Sequence, residues 1–405
     1  MSNIKPSSGK QRVEVIDALR GFAILGILLA NILSWSGIKF TPIAELKALP
    51  SFDLDLMVYH LNGVFVDTKF YTIFSLLFGI GFYLQFKKNK NNQAEFMPVY
   101  YRRLSFLMLF GLIHMFFWSG DILFIYALVG FVFVQFRNLS NKAIFNIALI
   151  SFIAPLFIEI AMLYIAPGYM VPAQKLALKT YIDLTPQEIS EPFKNGSFWD
   201  VIQMNFHNLK WRWFDLLPSG RFFKIFAFFL LGFYLMATDY FTKKAYSIGR
   251  LAIYLIVGLT FTFLAKSDYV HGGMAHFSSN WNNVLYKFLF SFGQVNLAFA
   301  YISILTIAYK TNLGKKLMVG LKYVGRMSFS SYLSHTIFGI IIFYPFAFGY
   351  FGELSLWQVE VLAVVIYAVQ VLLAKIWLNY FAFGPLEWLW RSLTYGEVLP
   401  IKKQS

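Results

Sequence analysis

The sequence predicts an all-α polytopic membrane protein with about ten transmembrane helices, and three observations support this. Of its 405 residues, 58% are hydrophobic and only 14% are charged, whereas about 25% of the residues of a soluble domain are charged. The apolar residues form runs of 17 or more, the length that crosses a hydrocarbon core about 30 Å thick. Short basic clusters separate the runs. This composition excludes a soluble enzyme.

The net charge of +15 does not indicate a nucleic-acid-binding protein, because the basic residues are scattered through short connections and form no separate domain. The lipid bilayer is therefore the expected partner, and no nucleic acid is expected. The chain has no cysteine, which excludes disulfides, thiol nucleophiles and thiolate metal sites. His271 and His276 lie five residues apart without a set of carboxylates, so no metal site is expected.

Ten apolar segments are predicted to cross the membrane. They are residues 16–36, 58–86, 102–118, 121–136, 143–166, 223–240, 249–266, 284–309, 327–347 and 357–382. An even number of spans puts both termini on one side, and 22 of the 35 Lys and Arg residues flank that side. By the positive-inside rule, both termini are predicted to be cytoplasmic.

One long connection divides the chain into three parts. Residues 1–166 form an N-terminal five-helix half, residues 167–222 an extracytoplasmic loop between helices five and six, and residues 223–405 a C-terminal five-helix half. The loop contains Pro167, Pro172, Pro186 and Pro192 with the aromatic residues Trp211, Trp213 and Phe214. Long loops of mixed character are typical of functional segments, so an ordered cap on the outer face is predicted.

Polar residues inside the first helix follow one face. Arg20 and Asn31 are eleven residues apart, about three turns, so both lie on the same stripe. Asp17 precedes Arg20 by three residues and is close enough to pair with it. Charged residues inside spans are costly and indicate functional sites. The alternative for Asp17 is an ion pair that anchors the end of the helix.

The second helix carries His60 and Asp67, seven residues apart and therefore predicted on one face, with His60 shallow and Asp67 deep. Lys69 follows two residues later and faces elsewhere. A buried Asp and Lys pair that holds helices together is the structural alternative for these charges. Further on in the same helix, Gly79 and Gly81 are interpreted as sites of close helix packing.

A second His and Asp pair lies further along the chain. His114 and Asp121 are seven residues apart, across a tight connection at residues 118–120. A carboxylate that orients an imidazole makes a general base. The pair equally fits a hydrogen bond that closes a helical hairpin. In the ninth helix, Arg326 begins a polar stripe that includes His335, and such a stripe must face protein or water.

The order of several short motifs resembles the YeiB-like membrane proteins, a family long catalogued as a domain of unknown function. The motifs are IDALRGFAILGIL at residues 16–28 with Asn31, KF at 69–70, FSLLFG at 74–79, GLIH at 111–114, GDIL at 120–123, GRMS at 325–328, GPLEWLWR at 384–391 and LTYG at 393–396. The resemblance covers nearly the whole chain and implies an integral protein of the bacterial cytoplasmic (inner) membrane. It also implies a possible homodimer.

The first helix is also similar to that of transmembrane acyltransferases, a group that includes acyltransferase-3 proteins and heparan-alpha-glucosaminide N-acetyltransferase. In acyltransferase-3 proteins an Arg is followed eleven residues later by a His, whereas here Arg20 is followed by Asn31. The glucosaminide enzyme has Asn at that spacing and uses a later His, for which His60 is the nearest candidate here. Asp67 resembles the acidic residue of its second helix.

This resemblance implies an enzyme that passes an acyl group from cytoplasmic acetyl-CoA, or another acyl-CoA, to an extracytoplasmic glycan or lipid acceptor. Arg20 and Arg326 are the expected phosphate-binding residues. Asn31, His60, His114 and Asp121 are the catalytic candidates, as oxyanion donor, bases and orienting carboxylate. Asp17, Asp67, Lys69 and His335 are expected to be structural or orienting. The alternative function is a transporter or exporter of a small polar or lipid-linked metabolite.

Overall fold

The computed structural model of this chain describes residues 14–41, 49–165, 184–216, 220–243, 245, 247–272 and 281–403. Helices account for nearly all of these residues, and one isolated β-bridge joins Phe381 to Lys402. The all-α prediction is therefore confirmed.

The described ranges contain seventeen α-helices, which are numbered in chain order. They are α1 (Glu14–Trp35), α2 (Phe52–Leu61), α3 (Lys69–Lys88), α4 (Gln93–Phe117), α5 (Leu123–Phe133), α6 (Asn141–Ile165), α7 (Pro186–Asn195), α8 (Phe198–Leu216), α9 (Arg221–Ala237), α10 (Tyr240–Lys243), α11 (Ile248–Gly272), α12 (Trp281–Ala308), α13 (Asn312–Leu317), α14 (Val319–Arg326), α15 (Ser328–Phe343), α16 (Leu356–Tyr380) and α17 (Pro385–Tyr395). A π-helix (Asn62–Val66) and 3-10 turns (Ile38–Phe40, Lys90–Asn92 and Val134–Phe136) complete the helical structure of the described ranges.

Among the residues that the structure describes, seven helical segments are long and apolar enough to cross a membrane. They are Glu14–Trp35, Phe52–Lys88, Lys90–Phe117, Asn141–Ile165, Ile248–Ala265, Val284–Ala308 and Leu356–Tyr380. Two shorter apolar helices are Leu123–Phe136 and Ser328–Phe343. Every segment predicted to span the membrane contains a helix, including α9 in the sixth segment. The chain is thus a membrane-like helical protein with seven clear candidate spans.

Helix α1 lies at the centre of the fold and packs against α3, α14, α15 and α16. Two glycines set the distance between α1 and α14: a Cβ at Gly21 would overlap the carbonyl oxygen of Leu321, and a Cβ at Gly325 would overlap that of Asp17. This contact brings Arg20, beside Gly21, close to Arg326, beside Gly325. Backbone contact between two helices therefore brings two predicted phosphate-binding arginines together.

A second close contact joins α3 to α9. A Cβ at Gly79 would overlap the carbonyl oxygen of Phe229, and Gly232 packs equally closely against Leu76. The packing role predicted for Gly79 is therefore confirmed. Gly81 differs, because a Cβ added there would meet no atom within 4 Å, and the residue lines a cavity. The prediction of close packing was wrong for Gly81, which is on another face of the helix.

The described part of the long loop, residues 184–216, forms helices α7 and α8. A capping box begins α7: the Thr185 hydroxyl accepts from the Glu188 N–H, and the Glu188 carboxylate accepts from the Thr185 N–H. This N–H lowers the pKa of Glu188. In α8, Asn205 donates to the Phe117 carbonyl at the end of α4. Residues 184–216 of the loop are thus largely helical. The side chains of Trp211 and Phe214 lie outside the described residues.

Candidate functional site

A cavity of about 570 Å³ opens between α1, α3, α4, α14, α15 and α17. Its charged lining is mostly basic and consists of Arg20, Lys87, Lys88, Arg103, Arg326 and Arg391 with Asp17 and Glu387. Aromatic side chains cover much of the remaining wall, among them Phe74, Phe78 and Trp390. An excess of positive charge in a partly apolar cavity suits a ligand with an anionic end and an apolar end.

The two arginines predicted to bind phosphate have different partners. Arg20 donates to the Asp17 carboxylate at 2.8 Å and to the Gly325 carbonyl at 3.3 Å, so the predicted i, i+3 pair is present. Arg326 makes one hydrogen bond of 3.5 Å, to the Ala382 carbonyl, and its buried Nε has no partner among the described residues. The Arg326 guanidinium therefore has donors available for a ligand.

Arg103 is a third arginine of this cavity, and no sequence pattern distinguishes it from the other basic residues. Its guanidinium stacks on the ring of Trp390 with the centroid 3.8 Å away, and it lies within electrostatic range of Arg20. Within the described ranges the Arg103 side chain makes neither a hydrogen bond nor an ion pair, while its carbonyl accepts from the Trp390 Nε1–H at 2.9 Å. A stacked guanidinium keeps its donor edge available and matches phosphate oxygens bidentately.

Glu387 is the second carboxylate of the cavity, and its oxygens are engaged by the start of α15. It accepts hydrogen bonds from the Phe329 N–H at 2.7 Å and from the Ser330 N–H at 3.1 Å. Burial raises the pKa of the Glu387 carboxyl, against the lowering effect of these bonds. Glu387 thus satisfies N–H groups that the first turn of a helix leaves without partners, and it holds α17 against α15.

The inner end of the cavity is formed by Tyr126 of α5 and Tyr332 of α15. The Tyr126 hydroxyl bonds to Ser75 at 2.6 Å and to the Tyr71 carbonyl at 3.2 Å. The Tyr332 hydroxyl accepts from the Ile122 N–H at 3.3 Å. Ile122 is the neighbour of Asp121, so the cavity ends beside the second His and Asp pair of the sequence.

His114 and Asp121 form a buried hydrogen-bonded pair. The His114 Nδ1 lies 2.7 Å from Asp121 Oδ1, and the His114 Nε2 lies 2.8 Å from the hydroxyl oxygen of Thr336. The other oxygen of Asp121 accepts from the Phe124 N–H at 2.9 Å, which caps α5. An ionised carboxylate only accepts, so beside an ionised Asp121 the Nδ1 would donate, and Nε2 would then accept the Thr336 proton.

Aromatic rings enclose this cluster. The Tyr332 ring centroid is 5.5 Å from that of His114, and the Trp118 centroid is 5.8 Å away. His114, Asp121 and Thr336 are each at most 5% exposed. In this dry setting the hydrogen bonds of the cluster are electrostatically stronger than in water. The cluster thus has the parts of an oriented base and also closes the hairpin between α4 and α5.

His335 is on the same helix but faces another partner. It is 1% exposed, and its Nε2 lies 3.3 Å from the Gln370 side-chain oxygen on α16. Its Nδ1 is buried without a hydrogen bond to any residue that the structure describes. The His335 end of the polar stripe therefore faces protein, whereas Arg326 lines the cavity.

Asn31 is at the depth of this cluster, although it does not line the cavity. Arg20 contacts Gly325. Fifteen residues after Arg20, Trp35 packs against Gly339, which lies fourteen residues after Gly325. The two stretches therefore run in parallel, and Asn31, one turn before Trp35, lies at the level of His335.

His60 and Asp67 are not brought together. Both are exposed, and neither hydrogen-bonds to the other. Two residues seven apart share a face only on a continuous α-helix, and the π-helix Asn62–Val66 lies between these two. Thr68, just after Asp67, has a φ of 67°. Asp67 is therefore exposed at the protein surface, and its depth in the membrane stays a prediction. Lys69 is fully buried and donates to the Gly63 carbonyl at 2.9 Å.

A second pocket, of about 400 Å³, lies on α7 and α8. Its polar lining includes Glu191, Asn195, Asp200 and His207. Helix α8 also contacts the end of α4, three residues beyond His114, through the Asn205 bond to Phe117. This pocket offers carboxylates to a polar ligand such as an amine or a polyol.

Sequence reasoning missed Thr336 and Arg103 as members of the site. Thr336 is 222 residues from His114, so spacing along one helix cannot relate them. For Arg103, the tryptophan-rich motif at 384–391 was the sequence feature that could have indicated it. Arginine side chains stack favourably on tryptophan rings, as Arg103 does on Trp390. No cluster that could hold a metal ion occurs among the described residues, and the His271 side chain and His276 lie outside them.

Comparison with known proteins gives relatives of unknown function. Residues 235–397 match the family model described as "Protein of unknown function (DUF418)". The chain is 27% identical to "Uncharacterized protein YxaH" of Bacillus subtilis (strain 168), with all of both chains covered. It is 25% identical to "Uncharacterized protein YeiB" of Escherichia coli (strain K12), covering 96% of this chain and 98% of the relative.

A third relative is "Uncharacterized 39.9 kDa protein in amylase 3'region" of Bacillus acidopullulyticus. It is 27% identical over 98% of this chain and 97% of its own length. No solved structure matches. The chain is therefore similar, over nearly its whole length, to YeiB and other proteins of unknown function, as the motifs indicated.

Proposed function

We propose that this protein is a transmembrane acyltransferase that takes the acyl group of a cytoplasmic acyl-CoA and passes it to an extracytoplasmic glycan or lipid acceptor. In this proposal ten helices cross the inner membrane and both termini are cytoplasmic. The cavity then opens to the cytoplasm, where acyl-CoA is available. The relatives are uncharacterized, so their names neither support nor oppose this activity.

One observation carries the proposal: a mostly basic cavity ends, at its inner tyrosines, beside a buried His and Asp pair. The phosphates of CoA would bind Arg326 and Arg103, whose guanidinium groups have donors available. The pantetheine arm would lie along the aromatic wall. The thioester would then reach the inner end, at Tyr126 and Tyr332.

The chemistry is acyl transfer with His114 as general base. His114 takes a proton from the attacking hydroxyl or amine, and Asp121 holds the ring and stabilises the imidazolium. The thiolate leaves and receives the proton, which gives free CoA. Asn31, at the depth of the cluster, is the proposed oxyanion donor. The role of base falls to His114 rather than to His60, which is exposed and apart from the cavity.

The acceptor would approach from the opposite face. Helices α7 and α8 cover the end of the α4–α5 hairpin, and their pocket carries Glu191, Asp200 and His207. Such groups hydrogen-bond to the hydroxyls of a glycan or to an amine. We therefore place the acceptor at this pocket.

Binding of acetyl-CoA to the purified protein in detergent tests the proposal. A ligand that binds only the folded protein raises its melting temperature with concentration. We expect a saturable rise for the wild type, and a right-shifted or absent rise for Arg103→Gln. Arg102→Gln is the matched control, because Arg102 precedes Arg103, is exposed and does not line the cavity.

Loss of the thermal shift in both variants would point to non-specific charge effects. No shift with acetyl-CoA or longer acyl-CoAs, in a protein that melts cooperatively, would contradict the proposal. A transporter would instead move an intact solute and release no thiol. Because the chain has no cysteine, any thiol detected after incubation with acetyl-CoA comes from CoA.

The orientation has its own test, which the absence of cysteine makes clean. Lys88→Cys places a thiol at the rim of the cavity, and Trp199→Cys places one on the exposed surface of α8. A membrane-impermeant maleimide should label Cys at 88 only in inside-out vesicles and Cys at 199 only in right-side-out vesicles. The reverse pattern would contradict cytoplasmic termini.

A further inference from the structure

The Thr336 hydroxyl bonds to a side chain on another helix rather than to its own helix backbone. Buried helical Thr hydroxyls ordinarily bond to the carbonyl three or four residues earlier, as Thr72, Thr306 and Thr394 do here. Thr336 instead bonds to the Nε2 of His114 at 2.8 Å, and this is its one hydrogen bond within the described part of the chain. Its hydroxyl is therefore directed at a base.

The three side chains together have the order of a nucleophile, a base and an orienting acid. The Thr336 hydroxyl meets His114 Nε2, and His114 Nδ1 meets Asp121 at 2.7 Å. This is the arrangement in which a hydroxyl attacks an acyl carbon, and it is recognised by geometry on unrelated folds. The proton that the His114–Asp121 pair is placed to remove is the proton of Thr336.

Thr336 also lies between the two proposed substrate sides. It is one helical turn beyond Tyr332, which lines the inner end of the cavity, about 6 Å further along α15. Beyond it, the α4–α5 hairpin ends beneath α8. An acyl group carried by Thr336 would have left the cavity without requiring CoA itself to cross the membrane.

We propose that Thr336 is the covalent nucleophile of the acyl transfer, an inference that rests on the proposed function. In the first step Thr336 Oγ1 attacks the thioester carbonyl, His114 takes the hydroxyl proton, and the C–S bond breaks. The thiolate takes that proton from His114 and leaves as free CoA, while Thr336 carries an acyl ester. Rotation of the Tyr332 ring opens the way from the cavity.

In the second step the hydroxyl or amine of the acceptor attacks the acyl ester on Thr336. His114 takes the acceptor proton and returns it to Thr336 Oγ1 as the C–O bond to the threonine breaks. The enzyme regains its starting state, and the acyl group is joined to the acceptor. No oxidant, reductant or metal enters either step.

The test is covalent labelling by radioactive acetyl-CoA without acceptor, followed by denaturation and peptide mass spectrometry. We expect acetyl ester on a peptide that contains Thr336 in the wild type and in Thr336→Ser, which keeps a hydroxyl. Thr336→Val should carry less than a tenth of the wild-type label while keeping the thermal shift with acetyl-CoA. The control Ser334→Ala, on the same helix, should be labelled like the wild type.

The outcomes separate this inference from the proposed function. Equal label on Thr336→Val, label on His114, or thiol release by an unlabelled wild type would overturn the threonine ester and leave an acyltransferase that transfers directly. Absence of any acyl-CoA binding in the thermal shift assay would overturn the proposed function, and the inference with it. If Thr336→Val misfolds, it will show no thermal shift with acetyl-CoA. The presence or absence of an acetyl ester on residue 336 of Thr336→Ser would then decide between the covalent ester and direct transfer.

Discussion

Two segments of this chain carry the same pattern, a His followed seven residues later by an Asp, and the fold treats them in opposite ways. His114 and Asp121 are buried and joined at 2.7 Å. His60 and Asp67 are exposed and separate. In both segments a break in the α-helix lies between the two residues. The spacing is therefore not the cause of the pairing.

The cause is the environment that each break creates. After α4, the chain turns back at once, so that Asp121 caps α5 and α15 covers the pair with Thr336 and Tyr332. After α2, a π-helix leads to Thr68, and both His60 and Asp67 stay exposed. The His114 and Asp121 pair differs because a third helix covers it and supplies a further polar group.

The largest expected difference between the two segments is in activity. In inside-out membrane vesicles, which contain the native acceptors, His114→Gln should lower the acetyl-CoA-dependent release of thiol by about 10²–10⁴-fold, the usual contribution of a general base. His60→Gln should change it less than threefold. Vesicles without the protein give the background. Equal losses in both variants, at equal protein levels, would contradict the distinction between the segments.

Stability should differ next. Asp121→Ala leaves two buried donors without a partner, the His114 Nδ1–H and the Phe124 N–H. Each is expected to cost about 1–3 kcal/mol of unfolding free energy. Asp67→Ala removes an exposed carboxylate and should cost less than about 1 kcal/mol. Thermal unfolding in detergent measures both, and a larger loss for Asp67→Ala would reverse the comparison.

The smallest expected effect is at the break after Asp67. Thr68 has a left-handed φ of 67°, a region that costs a residue with a Cβ roughly 1–2 kcal/mol. Glycine adopts it freely but loses about 0.5–1 kcal/mol of chain entropy on folding. Thr68→Gly should therefore raise the melting temperature slightly, with Thr72→Gly, inside α3, as a destabilising control. A lower melting temperature for Thr68→Gly would show that the break is not strained.

Much of the fold could be predicted from the sequence because long apolar runs dictate membrane-length helices. All ten predicted segments contain a helix, and the close packing at Gly79 follows from a small residue in an apolar run. The Asp17 and Arg20 pair was also accessible, since three residues on one helix bring two side chains together.

The site could be predicted only in part, because its members come from distant helices. Neither the Thr336 contact nor the stacking of Arg103 on Trp390 can be read from spacing, since 222 and 287 residues separate these pairs. The π-helix at Asn62–Val66 also escaped prediction: local periodicity assumes an unbroken helix, whereas the packing of neighbouring helices decides where it breaks.

A structure of the complex with a non-reactive thioether analogue of acetyl-CoA, determined by electron cryomicroscopy, tests the central claim most directly. We expect the nucleotide phosphates at Arg103 and Arg326, with the acyl end against Tyr126 and Tyr332 on the side of His114. An empty cavity at saturating analogue, or an analogue bound with its acyl end away from these tyrosines, would contradict it.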